Sequence, residues 1–221
     1  MSGEPVEVAG FAGDWVLDLE LVTRASVPIL GEFVTRTRSE VAVELAVRDS
    51  GMWQTQRVCT TTVNDGRGVV RTRIPPAFVA ALPVISFPVD LTPTRSGWDY
   101  AADFGRQLIG WDGVGTLPRA DELARIRDDD GDGHPGLTVL VEAPVVGSGE
   151  VYVVQAGRTR VAGAWDGEAW VGSVALPELR QTVVGASNRL FLHAPALVPD
   201  ETRSRFRLTR GRTSCAPPTP P

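Results

Sequence analysis

The sequence predicts an all-β fold, a single antiparallel β-barrel of about ten strands with one or two short helices; a β-sandwich is the alternative closure. Three observations carry this reading. Apolar residues recur at every second position over many short runs, the period of a half-buried strand. Turn sequences separate the runs, in a chain with 23 Gly and 17 Pro among 221 residues. Val and Thr are plentiful, which favours strands over long helices. The length allows one large β domain or two small ones. No linker interrupts the strand rhythm, so one domain over 1–214 is expected, then a Pro-rich tail over 215–221.

The first strand is Val16 to Val22, where Leu17, Leu19 and Leu21 alternate with Asp18 and Glu20. Residues 33–47 repeat the pattern, with Val41, Val43, Leu45 and Val47 on one face and Glu40, Glu44 and Arg48 on the other. Asp49-Ser50-Gly51 turns into a returning strand from Trp53 to Val63, and Asn64-Asp65-Gly66 turns again into Val69 to Ile74. Such runs joined by short turns form an antiparallel meander. Pro75 to Leu82, with Pro at a helix start, predicts one short helix. Residues 83–120 hold Trp98, Tyr100, Phe104 and Trp111, aromatics that need burial, and read as a packed long loop or a broken strand pair. A helical turn is expected over Asp121 to Ile126. Beyond it come strands at Leu137–Val141, at Val151–Val154 turning at Ala156-Gly157 into Thr159–Ala164, and a hairpin about Asp166-Gly167. Leu176–Val184, Leu190–His193 and Arg203–Leu208 complete the set. Trp15, Trp53, Trp165 and Trp170 are the expected core tryptophans.

Composition narrows the function. A net charge of −5 lacks the basic face that nucleic-acid binding requires. No apolar run approaches the ~18 residues of a membrane-spanning helix. All 22 cations are arginine, as a GC-rich coding bias produces; arginine also offers a planar fork for anions. Between Asp121 and Asp132 six acids stand against Arg125 and Arg127, so this one segment carries −4 of the net −5.

Two cysteines bear on compartment. Cys59 falls in the strand run Arg57-Val58-Cys59-Thr60, and Cys215 beside the Pro-rich end. A thiol next to such a tail makes sense as a disulfide staple to the barrel wall. Closing so long a loop is worth at most about 5 kcal/mol in the chain-entropy view. Disulfides persist in oxidising compartments, so an extracytoplasmic location (secreted, periplasmic or lipid-anchored) is expected. Met1 to Glu7 lacks the basic and apolar regions of a signal peptide. The expectation is that Met1 replaces a removed signal segment.

Gly13-Asp14-Trp15 at the first strand resembles the Gly-x-Trp signature of lipocalins and wider calycins. The resemblance implies a Trp that closes one barrel end under a cation from the last strand. Arg203, Arg205 and Arg207 fall where that cation is expected, and Arg205 is the choice. It further implies a small apolar ligand in the interior. The chain departs from the family pattern over 83–136, where a tight meander would continue. As a whole it is similar to secreted and lipoprotein-like β proteins of GC-rich bacteria.

The acidic loop Asp128-Asp129-Asp130-Gly131-Asp132-Gly133-His134 contains Asp-x-Asp-x-Asp-Gly. Carboxylates at loop positions 1, 3 and 5 with Gly at 6 match the first half of an EF-hand loop. Alternate side chains on a tight turn converge there on one hard cation. The expected ligands of a structural Ca²⁺ are Asp128, Asp130, Asp132 and the backbone carbonyl at His134, with the ring free to face water. The loop resembles those of dockerins and thrombospondin type 3 repeats. Position 12 is Val139 rather than a bidentate Glu, which predicts weak affinity, on the order of 10⁻⁴ M. Gly131, Gly133 and Gly136 also spell a dinucleotide fingerprint, but four Asp would repel a pyrophosphate.

Catalytic signatures are sparse. Only His134 and His193 are available, and no nucleophile elbow, zinc motif or P-loop occurs. Asp18, Glu20, Glu40 and Glu44 could supply an acidic pair if they faced a cleft. Their alternation with Leu and Val instead predicts solvent-facing positions. A non-enzymatic chain is expected: a surface-attached or secreted barrel for a small apolar molecule first, a protein-interaction or assembly module second, an acidic-pair hydrolase last.

Overall fold

Strands with one apolar face must find a partner surface, and here they curl upon themselves. The computed structural model describes residues 8–27, 31–48, 51–65, 70–143, 147–193, 195–213 and 215. Its strands are β1 (Gly13–Val27), β2 (Gly31–Arg48), β3 (Gly51–Asn64), β4 (Arg71–Arg73), β5 (Ile85–Thr94) and β6 (Gly97–Ile109). They continue with β7 (Leu137–Ala143), β8 (Gly147–Trp165), β9 (Ala169–Ala186), β10 (Val198–Pro199) and β11 (Arg205–Arg210). One helix, α1 (Pro76–Ala81), starts on proline, and 3-10 turns cover Leu123–Arg125 and Arg189–Phe191. Met1–Glu7, Asp49-Ser50, Gly66–Val69 and the tail from Ala216 lie outside the described residues, and with them the expected turn tips.

All named strand pairs are antiparallel. Taken in chain order, β1, β2, β3, β5, β6, β8, β9 and β11 are successive neighbours, and β11 returns to β1. The result is a barrel-like ring of eight strands within one eleven-stranded sheet. The other strands decorate it. β7 pairs with the first half of β8 and β4 pairs with β7, forming a flange beside the ring, while β10 lies against β1.

Alternation fills the interior. Trp15 and Leu17 of β1, Val41, Val43 and Leu45 of β2, and Phe206 and Leu208 of β11 are all buried. Trp170 sits centrally, its ring centroid 4.7 Å from Phe11, 4.9 Å from Trp15 and 5.6 Å from Tyr100. Phe87 stacks on Phe104 at 5.0 Å. One polar chain crosses this core: the Tyr100 hydroxyl donates to Gln54 at 2.6 Å, and Gln54 donates to Gln56 at 2.7 Å. A second, smaller cluster lies under the flange, with Trp111, Tyr152, Val154, Ala156 and Val184 as its buried members.

Several expectations need correction. β8 runs unbroken through Ala156-Gly157, because β6 and β9 hydrogen-bond both its sides there. Leu190–His193 is not a strand; the Asn188 side chain accepts the Leu190 N–H and starts a 3-10 turn instead. The 83–120 stretch supplies two ring strands, β5 and β6, so the meander continues where the calycin comparison led us to expect a departure. Trp53 and Trp165 are half-buried, while Trp111 is fully buried. On β3 the inward residues are Met52, Gln54 and Gln56, which leaves Trp53 outside beneath the Arg48 guanidinium at 4.9 Å.

Candidate metal centre

The acidic loop hangs between β6 and β7, and two glycines pinch its base. Both Gly110 and Gly136 have positive φ, and a Cβ on Gly110 would lie 2.9 Å from the Gly136 Cα. A Cβ on Gly136 would meet the Val153 carbonyl oxygen at 2.5 Å. Only glycine permits this approach. The pinch is tied by Arg127 N–H to Gly110 O (2.8 Å), Gly136 N–H to Arg127 O (2.9 Å) and Gly110 N–H to Asp129 Oδ2 (2.8 Å). Asp129 is therefore a fastener for the loop rather than a ligand. The Trp111 indole donates to Gln155 O at 3.0 Å under the loop, with Arg106 and Arg125 over its ring at 5.9 and 5.7 Å.

On this base Asp128, Asp130 and Asp132 converge: one carboxylate oxygen from each lies within 4.8 Å of the others. Bonds of 2.3–2.6 Å to a single Ca²⁺ allow such a span. The remaining oxygens are aimed by hydrogen bonds. Asp128 accepts the N–H groups of Gly131 (2.7 Å), Asp132 (3.2 Å) and Gly133 (2.9 Å). Asp132 accepts the His134 N–H at 2.9 Å and the Thr138 hydroxyl, and Asp130 Oδ2 accepts the Thr138 N–H at 2.9 Å. One oxygen is left over. Asp130 Oδ1 is buried and has no hydrogen-bond partner. Desolvation, with the charges of Asp132 and Asp128 added, raises the Asp130 carboxyl above its ordinary value. Backbone donors, Gly133 first, hold that of Asp128 below it.

The His134 ring does not face open water. It stacks on Tyr152 with centroids 4.3 Å apart and planes 10° apart, its Nε2 3.9 Å from Glu150 Oε2. Thr138, loop position 11, was not singled out by the sequence. Its place in the motif is visible there, but its bonds to Asp130 and Asp132 depend on β7 starting at Leu137. The three loop glycines, Gly131, Gly133 and Gly136, all have positive φ and serve the turn.

Away from the loop, Cys59 and Cys215 are disulfide-bonded across 156 residues of sequence. Cys59 is the extra residue of a bulge in the β2–β3 ladder, where Glu40 pairs with Thr60 but Val41 pairs with Val58. A bulge re-aims one side chain, here toward the end of the chain. Trp15 does lie at the ring's aromatic end, its indole donating to Phe11 O at 2.9 Å, but the cation over it is Arg210 at 5.0 Å rather than Arg205. The register explains the correction: Trp15 is opposite Arg210, and Arg205 is opposite Glu20, with which it pairs at 2.9 Å. His193 lies exposed beyond the 3-10 turn, far along the chain from the carboxylates. No helix among the described residues is long and apolar enough to cross a membrane. No family model, curated protein or solved structure matches the chain.

Proposed function

We propose that this chain is an extracytoplasmic binding or assembly module built on a β-ring, whose flange loop takes up one structural Ca²⁺ on Asp128, Asp130 and Asp132. The observation that carries the metal reading is the buried, partnerless Oδ1 of Asp130 beside two more carboxylates. Burying an ionised oxygen without a counter-charge is costly, and a hard cation would offset that cost. With Val139 at position 12, calcium would hold the loop closed without the bidentate Glu of sensor loops. The Cys59–Cys215 disulfide supports an oxidising compartment. The interior supports a module over a carrier of apolar molecules. Trp15, Trp170, Tyr100, Phe87, Phe104 and Phe206 occupy the space such a ligand would need.

The experiment is a thermal unfolding series in chelator, in millimolar Ca²⁺ and in millimolar Mg²⁺. Calcium should raise Tm, reflecting RT ln(1 + [L]/Kd), or ~2.7 kcal/mol at a hundredfold excess over Kd. Magnesium, which demands a tighter octahedral shell, should do much less. Asp130→Ala should erase the difference. Identical curves in Ca²⁺ and chelator would overturn the metal reading. Apolar molecules released from the purified protein in native mass spectrometry would restore the carrier reading.

A further inference from the structure

On the outside of the ring, β9, β11, β1, β2 and β3 form a half-open groove of about 580 Å³. Its lining includes Asp18, Glu20, Arg38, Glu40, Arg205 and Val171. The charges are not scattered. Glu20 is the one buried carboxylate, its side chain 10% exposed, and it holds the Arg38 Nε at 2.6 Å and the Arg205 Nη2 at 2.9 Å. Both arginines are otherwise open, at 67% and 70% exposure. Each spends one edge of its guanidinium on Glu20 and keeps its other N–H groups for the groove. One carboxylate thus fixes two forks in place, a pre-organised receptor for an oxyanion.

Two residues along the same strands the sign reverses. Asp18 lies directly opposite Glu40 in the β1–β2 register. Like charges so placed repel across a strand pair. Arg207, the neighbour of Asp18 on β11, turns away to Asp166 at 3.1 Å and Glu168 at 3.8 Å. Neither Asp18 nor Glu40 makes an ion pair or side-chain hydrogen bond to the described residues. A cation between them would relieve the repulsion. Two strand residues span about 7 Å, so the groove has an anion-binding end and a cation-binding end at that separation.

We propose that this groove binds a small zwitterion of the ω-amino-acid class, its carboxylate on Arg38 and Arg205 and its ammonium between Asp18 and Glu40. The alkyl stem would lie across the groove floor toward Val171. The site is separate from the calcium loop and stands without it.

The test is titration calorimetry with 6-aminohexanoate, whose charged ends match the span, at low salt. Hexanoate and hexylamine, each with one end only, and glycine, with both ends too close, serve as comparisons. 6-Aminohexanoate should bind with Kd on the order of 1 mM, and each comparison compound about tenfold more weakly or worse. Glu40→Gln, an outward position on the sheet, should weaken 6-aminohexanoate about tenfold with an unchanged Tm. Asp18→Asn should reproduce that result and is used if Glu40→Gln fails to fold. Backbone amide shifts in an NMR titration should concentrate at Asp18, Glu20, Arg38 and Glu40. Equal binding of hexanoate and 6-aminohexanoate would overturn the cation-binding end. No heat and no shift change at ~10 mM would overturn the proposal as a whole.

Discussion

The ring and the flange each bury one polar atom without a partner, and the difference between the two atoms separates the two regions. In the ring it is the indole N–H of Trp170; in the flange it is Oδ1 of Asp130. The Trp170 N–H is neutral and surrounded by the rings of Phe11, Trp15, Trp165 and Tyr100. Leaving it unbonded costs ~1–3 kcal/mol, comparable to what the burial of one large aromatic contributes. The Asp130 oxygen belongs to a carboxylate with like charges on both sides and only a small apolar cluster beneath it. A ring core held by apolar contact tolerates its orphan under any solution conditions. A flange held by carboxylates and backbone donors depends on what the solution supplies.

The largest expected effect tests the ring. Trp170→Ala removes the centre of its aromatic cluster and should cost ~3–5 kcal/mol in denaturant unfolding. A loss below about 1 kcal/mol would mean that the ring core is not where the stability resides. Next comes the staple. A Cys59→Ser, Cys215→Ser double variant should lose ~2–4 kcal/mol, and the native protein, denatured without reductant, should show no titratable thiol. Calcium should act more locally. In hydrogen exchange it should slow the Gly110 and Thr138 amides, which close the loop, and leave the β1–β2 amides unchanged. Uniform protection across ring and flange would erase the distinction between them.

The smallest effect is one of sign with pH. At the β6–β8 bulge Asp103 accepts Arg158 at 2.6 and 2.9 Å and Arg160 at 2.8 Å. Hydrogen bonding by Arg158 above all holds its carboxyl well below the usual range. The unfolded chain then takes the proton first, so the stability this network adds is present above about pH 4 and lost as pH falls further. Asp130 runs the other way in chelator. Its folded carboxyl is raised, so the folded state takes the proton first and stability rises as pH drops toward 4. Asp103→Asn should flatten the acid loss, and Asp130→Asn should stabilise the neutral, calcium-free protein. Opposite signs in urea titrations between pH 3 and 7 would refute this assignment.

The ring was largely legible in the sequence because alternation is a local signal. Leu17, Leu19 and Leu21, or Val41, Val43 and Leu45, announce an inward face without reference to any partner. β3 was less legible, since Gln54 and Gln56 point inward and Trp53 outward; only the Tyr100 hydroxyl, 46 residues away, makes Gln54 an acceptable core residue. In the flange, the Asp spacing named the three converging carboxylates. The fastening by Thr138, Asp129 and the Gly110–Gly136 pinch is made of contacts across the loop, which spacing does not encode. Arg210 was missed for Arg205 because choosing between alternate arginines on β11 needs its register against β1. Glu20 reads as a solvent-facing acid until Arg38 and Arg205 arrive from two other strands to cover it.

The chain-order ring also sets a schedule. A ribosome delivers β1 first, and one edge of β1 waits for β11, which also covers the open edge of β9. Until Arg205–Arg210 has emerged, both edges are free to pair with another chain, the hazard that any unfinished sheet carries. A chain ended at Asp200 should therefore self-associate on refolding, and a clean monomer in sedimentation would argue otherwise. The last strand is thus the latch that turns a sticky ribbon into a finished wall, and the cysteine just beyond it locks the latch in the order in which the protein is made.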